Sequence, residues 1–127
     1  MSIHKKLKLN TVCLMKVSGE LIKSGRQSLQ PDMHVGVEKV SEEVVFIGVQ
    51  FHLESRNYQL ALRWLVHYDV LEPVTRDEVV AEMNSLLIPC LQQNSILVGI
   101  LTEKIVGQPV VLPPVAKGTK PKPEVKH

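Results

Sequence analysis

The segment Tyr58–Val70, with the sequence YQLALRWLVHYDV, has the most regular pattern in the chain. Its apolar and aromatic side chains stand at every second position, namely Tyr58, Leu60, Leu62, Trp64, Val66, Tyr68 and Val70. A period of two is typical of a β-strand that turns one face toward a core. The segment therefore predicts one long strand.

A second alternating series precedes this strand and predicts its neighbour in a sheet. It places apolar side chains at Val45, Ile47, Val49, Phe51 and Leu53. Only residues 54–57, ESRN, separate the two series. So short a connection predicts a hairpin of two antiparallel strands.

Two further extended regions lie nearer the N-terminus. From Leu7 to Val17 apolar and polar residues alternate, with Val12 and Leu14 on the otherwise polar parity. His34 begins another region, and the interruption over residues 39–43 predicts a bulge, a bend or a short loop. We therefore expect the first half of the chain to form an antiparallel sheet.

After Pro73 the spacing of apolar residues changes to steps of three and four, which is typical of an amphipathic helix. Thr75 is a suitable N-cap, and Glu78 three positions later completes a capping box. Gly107 is expected to end the helix. Strands followed by a helix predict an α+β fold, with long antiparallel strands packed by this helix.

The segment MNSLLIPCLQQN, residues 83–94, places Pro89 inside the helix. Because proline lacks an amide hydrogen and crowds the carbonyl of Ser85, we expect the helix to kink there or to divide into a short leading turn and a longer second piece. The apolar stripe continues across the break, so both pieces should pack on the same sheet. Asn94 in this stripe is expected to face solvent, the alternative being that its amide fixes the register between helices.

Length and composition predict a single domain. A chain of 127 residues can bury a core without help from metals or disulfides. We place one domain at residues 1–116 and a disordered basic tail, KGTKPKPEVKH, at residues 117–127. The hydrophobic fraction of 44% and the charged fraction of 22% fit a globular protein, and the apolar runs are expected to be too short and interrupted to span or insert into a bilayer.

The two cysteines, Cys13 and Cys90, lie far apart in apolar surroundings, and no start resembling a signal peptide precedes them. This favours buried, inert thiols and a reducing, cytoplasmic location.

The sequence lacks the common signatures of catalysis. It has no phosphate-binding glycine loop, no nucleotide fingerprint and no HExxH helix. The histidines have no spacing that would bring two of them together with a cysteine as metal ligands. Cys90 has no histidine near it in sequence to act as a base. We therefore expect no enzyme activity, no metal and no cofactor.

Basic residues concentrate at both ends of the chain, with several lysines among residues 4–8 and again among residues 117–127. No aromatic residue is interleaved with them, as a stacking platform for nucleic acid would require. Solvated termini are therefore the preferred interpretation, and nucleic-acid binding through the basic ends is a minor alternative.

Two short motifs in the second half resemble those of the SecB export chaperone family. Residues 87–91, LIPCL, are similar to the "hydrophobic, hydrophobic, Pro, Tyr" opening of that family's main helix. Residues 107–115, GQPVVLPPV, are similar to its "G-x-P-P-L-x-L-x-P-V-N-F" close. The resemblance implies the same α+β fold and an ATP-independent chaperone that holds unfolded or precursor polypeptides for export.

The chain also departs from that family's pattern. Cys90 stands where the family has tyrosine, Ala116 and Lys117 replace the asparagine and phenylalanine, and aromatic residues are few. The resemblance implies an acidic sheet surface that docks the SecA motor, whereas this chain has basic ends, so we do not carry that partner over. A SecB-like protein that serves a different system, such as a solitary chaperone for a toxin–antitoxin pair or for a mobile element, fits these departures better.

The predicted sheet carries apolar residues on both parities. Opposite the main series lie Val12, Leu14, Val44, Phe46, Leu65 and Leu71. One helix layer covers only one face of a sheet, so the second face is expected to be covered by another copy or by a client. We therefore expect a homodimer or a homotetramer.

These patterns lead to one main hypothesis and one rival of another class. The main hypothesis is a SecB-like holdase whose client-binding residues flank the seam between sheet and helix, namely Phe46, Phe51, Tyr58, Trp64, Leu87, Leu91, Val110, Val111 and Leu112. The rival is an oligomeric adaptor or structural protein that binds one folded partner through the same apolar face.

Overall fold

The computed structural model describes residues 3–21, 30–55, 58–106 and 122–123. Its elements are, in chain order, a 3-10 helix (Ile3–Lys5), β1 (Leu7–Leu21), β2 (Gln30–Val40), β3 (Val44–Glu54), β4 (Tyr58–Val70), α1 (Arg76–Ala81), α2 (Met83–Val106) and β5 (Lys122–Pro123). Strands followed by helices confirm the predicted α+β class.

The strands form one sheet in the order β1-β4-β3-β2-β5. β1, β4, β3 and β2 pair antiparallel with their neighbours, and β3 and β4 are the predicted hairpin. β5 adds two residues parallel to β2. Apart from these two residues, the predicted disordered tail at 117–127 lies outside the described residues, as does the predicted helix end at Gly107.

The predicted interruption over residues 39–43 has two components. The register shifts between Val37 and Lys39, which makes Glu38 the bulged residue of β2. The Ser41 hydroxyl then accepts hydrogen bonds from the amides of Glu43, at 3.2 Å, and Val44, at 3.1 Å. These bonds close a tight turn that separates β2 from β3.

Two irregularities in β1 change which side chains face the helices. The register with β4 shifts between Leu9 and Thr11 and again between Leu14 and Lys16. Val12 consequently lies opposite Val66, on the helix side of the sheet, and Leu14 lies opposite Trp64 on that same side. The prediction that Val12 and Leu14 face away from the core is therefore wrong, because each extra residue reverses the parity of the strand.

The helical part begins as predicted and divides at a different residue. Thr75 and Glu78 form the capping box, in which the Thr75 hydroxyl accepts from the Glu78 amide at 3.1 Å. The break lies at Glu82, with φ −106° and ψ 19°, whereas Pro89 lies within α2. The expected division at Pro89 is therefore wrong, and the alternative of a kink at Pro89 stays a prediction. The Tyr68 hydroxyl donates to the Leu86 carbonyl at 2.7 Å, in the turn where the proline removes a helical amide.

The core lies between the helices and one face of the sheet. The predicted strand series supplies the sheet side, from Val45 to Leu53 and from Tyr58 to Tyr68. The helix side consists of Val79, Met83, Leu86, Leu87, Cys90, Leu91 and Val98. Asn94 is only 3% exposed within this layer, so its expected exposure to solvent is wrong.

The face of the sheet opposite α1 and α2 is mixed in character. Val44, Phe46 and Leu65 are half-buried there, and the Phe46 and His67 rings lie 4.8 Å apart. Farther along the strands the same face carries Lys16 and Arg63 and other polar side chains. The predicted second apolar face therefore occupies only part of this surface, which we call the open face.

Helix α2 is long and apolar enough to cross a membrane. The prediction that every apolar run is too short or too interrupted for this is therefore wrong. By length and composition alone, Met83–Lys104 qualifies, with a mean hydropathy of 1.4. In the structure this segment packs one side on the sheet, and its buried residues belong to the core. Such packing is that of a core helix.

Candidate functional site

The most distinctive surface of the chain is a line of apolar side chains on β1. On the helix side of this strand lie Leu9, Val12, Leu14, Val17 and Leu21, which we call the β1 apolar row. They lie directly opposite Tyr68, Val66, Trp64, Leu62 and Tyr58 of β4. Every residue of that β4 set is buried, whereas four of the five residues on β1 are exposed. The row therefore continues the core surface past the point where the helix layer covers it.

The position of α2 explains this exposure. Tyr68 bonds to the carbonyl of Leu86, and the Trp64 indole N–H donates to Asn94 Oδ1 at 2.9 Å. These two buried bonds hold α2 over β4, next to the edge strand. Along the row, Leu14 remains 38% exposed and Leu21 70% exposed.

β1 is also an edge of the sheet. Within the part of the chain that the structure describes, it pairs with β4 alone, so its outer backbone groups have no strand partner there. An unpaired strand edge offers amide and carbonyl groups to an added strand. The β1 apolar row and this edge together can bind an extended, apolar polypeptide segment.

A second group of exposed apolar residues lies on α2. Ile88, Ile96 and Ile100 are 37%, 65% and 49% exposed. Their spacing of eight and four residues places them on one side of the helix. This side faces away from the core to which Leu87 and Cys90 belong.

The structure places the predicted client-binding residues in three different settings. Phe51, Tyr58, Trp64, Leu87 and Leu91 are buried in the core, each at most 7% exposed. Phe46 is half-buried on the open face, away from the seam between sheet and helix. Val110, Val111 and Leu112 lie outside the described residues. The contact of these nine residues with a client stays a prediction.

Sequence reasoning did not select the β1 apolar row as a site. Strict alternation assigned its members to both faces of the strand, because the two irregularities of β1 leave no mark that alternation alone can read. The available signal was the presence of apolar residues on both parities of this strand.

Burial sets the chemistry of the ionisable groups beneath α2. Burial raises the pKa of the Cys90 thiol to about 12, so this thiol stays protonated at neutral pH. Burial, followed by the nearby Cys90, raises the pKa of Tyr68 to about 12. Neither group supplies a nucleophile or a base near neutral pH.

The described residues contain no group of three or more histidine, cysteine, aspartate or glutamate side chains that could hold a metal ion.

His4 and Ser85 are hydrogen-bonded through the imidazole and the hydroxyl. Lys6 forms an ion pair with Glu78 at 2.8 Å. The two contacts connect the segment before β1 to the helices.

Comparison with known proteins identifies the fold. No family model matches the chain, and no curated protein matches its sequence. Among solved structures, the Mycobacterium tuberculosis SecB-like chaperone Rv1957, in complex with a ChAD peptide from the HigA1 antitoxin Rv1956, matches with a TM-score of 0.73 and 10% identity over 90% of this chain and 91% of that one. A Streptococcus agalactiae protein of unknown function matches with a TM-score of 0.63 and 12% identity over 85% of this chain and 97% of that one.

The chain therefore has the fold of a SecB-like chaperone: an antiparallel sheet followed by a long helix packed on one face. This confirms the fold that the sequence motifs implied. At such low identity the likeness establishes the architecture, and the activity must be argued from the surface of this chain.

Proposed function

We propose that this protein is an ATP-independent chaperone that holds unfolded segments of a dedicated polypeptide client. The observation that carries the proposal is the exposed β1 apolar row beside a strand edge that has no partner strand among the described residues. The fold shared with Rv1957 supports it, because that protein is complexed with a peptide from an antitoxin. The proposal includes no cofactor and no catalytic step, and it places the protein in the cytoplasm.

The energy available on this surface suits reversible holding. The exposed fractions of Leu9, Leu14, Val17 and Leu21 amount to about two fully exposed side chains. Covering them would contribute on the order of 3–6 kcal/mol at about 25 cal/mol per Å². Part of this is offset by the ordering of an extended client, so binding should be weak for each segment and should improve with several segments.

Assembly is a second part of the proposal. Because Ile88, Ile96 and Ile100 form an exposed apolar side of α2, we propose that the protein forms a homodimer or a homotetramer in solution through this side, which keeps the β1 apolar row free for a client. Solution mass from light scattering measures this directly. A monomer at all working concentrations would contradict the proposed assembly.

The test of client holding uses charge on either side of the same strand. Val17→Glu places a carboxylate in the β1 apolar row, while Thr11→Glu places one on the open face of β1, opposite His67. Suppression of light scattering from a reporter enzyme diluted out of denaturant measures the activity. We expect Val17→Glu to reduce suppression at least severalfold and Thr11→Glu to retain it.

Equal activity of both variants, with unchanged circular dichroism and solution mass, would refute the row as the client site.

A further comparison separates the chaperone from the adaptor alternative. An adaptor would bind its folded partner through an apolar surface, and the exposed side chains of Ile88, Ile96 and Ile100 would also suit that role. A chaperone suppresses aggregation of several unrelated unfolded proteins, whereas an adaptor binds one folded partner only.

A further inference from the structure

The open face contains a polar cavity on the opposite side of the sheet from the β1 apolar row. Its volume is about 350 Å³. The lining side chains and backbone come from all four long strands, with Lys16, Ser18, His34, Gln50, Phe51, His52, Ala61, Leu62 and Arg63. We call this cavity the polar trough. Its volume lies at the lower end of the range of ligand pockets.

Short side chains account for the depression. Ala61 on β4 lies directly opposite Ser18 on β1 and His52 on β3. The longer side chains of Lys16 and Arg63 stand one pair farther along the same strands, so they form a wall beside a low floor. A second cavity of about 240 Å³ shares Ser18, His52 and Ala61 and lengthens the trough toward the end of the sheet. Its lining includes the Glu20 carboxylate, which accepts a hydrogen bond from Gln59, so the cationic part of the trough is the larger cavity alone.

Two permanent cations stand side by side in one wall of this trough. Lys16 lies directly opposite Arg63 in the antiparallel ladder. Like charges at directly opposite positions destabilise a sheet unless an anion lies between them. Among the described residues, no carboxylate lies within ion-pair distance of Lys16. Arg63 has one weak partner, Glu38, at 3.8 Å.

The other polar side chains of the larger cavity, Ser18, His34, Gln50 and His52, can donate hydrogen bonds, and none of the described residues that line it is a carboxylate. Gln50 lies opposite Arg63, and His34 lies opposite Gln50, so one cross-strand line contains an ammonium, a guanidinium, an amide and an imidazole. Asp32 lies outside the lining and bonds to His34 at 3.1 Å. Glu38 lies over Gly48, where no Cβ blocks its side chain.

We propose that the polar trough binds an acidic polypeptide segment, with a side-chain carboxylate held between Lys16 and Arg63. A carboxylate suits this position because a guanidinium binds it with two parallel hydrogen bonds and an ammonium adds a third donor. The elongated, open shape formed by the two cavities fits an extended chain better than a compact ion. The trough is separate from the β1 apolar row and contacts the partner through charge.

The experiment compares two capped peptides, one of alternating aspartate and glycine and one with asparagine in place of aspartate. Titration into the full-length protein is followed by NMR chemical-shift changes at low and at physiological ionic strength. We expect saturable shifts at Lys16, Gln50 and Arg63 with the aspartate peptide, and none with the asparagine peptide. Binding should weaken as salt rises, because these groups are exposed.

Three glutamine variants localise the interaction. Lys16→Gln and Arg63→Gln should each weaken binding about tenfold, as expected when one charged hydrogen-bonding group is lost. Lys8→Gln is the matched control, because Lys8 lies on the same face of the same strand but opposite Asp69. We expect it to change the affinity by less than about twofold, since an exposed charge this far away is largely screened.

An equal loss of affinity in all three variants would mean general charge attraction and would overturn the proposal. Binding of inorganic phosphate without binding of the aspartate peptide would also overturn it, because the trough would then be a small-anion site. The outcome is independent of the proposed chaperone activity. Lys16→Gln and Arg63→Gln should suppress reporter aggregation normally, and Val17→Glu should bind the aspartate peptide normally.

Discussion

The hydrogen bond between Trp64 and Asn94 should couple the sheet to α2 in a measurable way. Trp64 is 4% exposed and Asn94 is 3% exposed, so either group left without its partner would be a buried, unsatisfied polar group. Such a group costs about 1–3 kcal/mol. Asn94→Ala strands the indole N–H and removes part of a buried side chain, for a total of about 2–4 kcal/mol.

Trp64→Phe strands the amide oxygen and leaves a small cavity, with a similar total of about 2–4 kcal/mol. In the double variant no polar atom is stranded, so its loss of stability should be smaller than the sum of the two single losses by about 1–2 kcal/mol. The assay is equilibrium urea unfolding followed by far-UV circular dichroism, since Trp64 is the one tryptophan and fluorescence is lost with it.

Gln93→Ala is the matched control, because Gln93 is the exposed neighbour of Asn94 on the same helix. A surface change of this kind should alter the free energy of unfolding by no more than about 0.5 kcal/mol. Losses from Trp64→Phe and Asn94→Ala that add within about 0.5 kcal/mol would refute the reasoning. The bond would then contribute nothing to the position of α2 over β4.

Three further predictions concern single groups. Tyr68→Phe should lower the free energy of unfolding by about 0.5–1.5 kcal/mol in urea melts, because it removes one buried hydrogen bond between β4 and α2. No change would contradict the assigned bond. Hydrogen bonds from Lys6 and from the helix N-cap lower the pKa of Glu78. The contribution of Glu78 to stability should therefore be present above the usual carboxylate pKa and disappear as pH falls through the lowered pKa. Lys6→Gln should flatten the decrease of the free energy of unfolding with falling pH, in melts recorded between about pH 3 and 6. Native protein should react rapidly with a thiol reagent at Cys13 only, because Cys13 is exposed, contrary to its predicted burial, whereas burial raises the pKa of Cys90 to about 12. Rapid labelling of native Cys13→Ser protein, whose one thiol is Cys90, would refute the burial of Cys90.

Alternation along β3 and β4 predicted the sheet face that forms the core. From Val45 to Leu53 and from Tyr58 to Tyr68, the residues on the predicted parity are buried. Both strands are central, so a neighbour on each side holds their register and no extra residue reverses their parity. The capping box at Thr75 was equally predictable, because it depends on two residues within one turn of helix.

The edge strand was less predictable for a physical reason. β1 has one partner strand among the described residues, and an edge strand accommodates an extra residue at little cost. Whether Val12 faces the helices depends on the irregularity after Leu9, which is a property of strand pairing and not of local pattern. The candidate client surface therefore became visible only when the register of β1 against β4 was known.

The helix break shows the same division between local and tertiary causes. Proline within a helix predicts a weakened turn, because Pro89 removes the amide that would bond to the Ser85 carbonyl, yet α2 continues through Pro89. The actual break lies at Glu82, where α1, packed against β2, gives way to α2, packed against β4 and β1. Two helices on different strands of a twisted sheet require a change of direction between them.

The sequence by itself determined the α+β class, the strands and helices, the buried faces of β3 and β4 and the start of the helical part. Each depends on the identity of residues a few positions apart, and short-range periodicity records this identity directly. Only the tertiary structure decided that Asn94 is buried against Trp64, that the β1 apolar row is exposed to solvent and that Lys16 lies beside Arg63 on the open face. These features depend on which residues of distant segments become neighbours, and that is fixed by register and packing across the whole sheet.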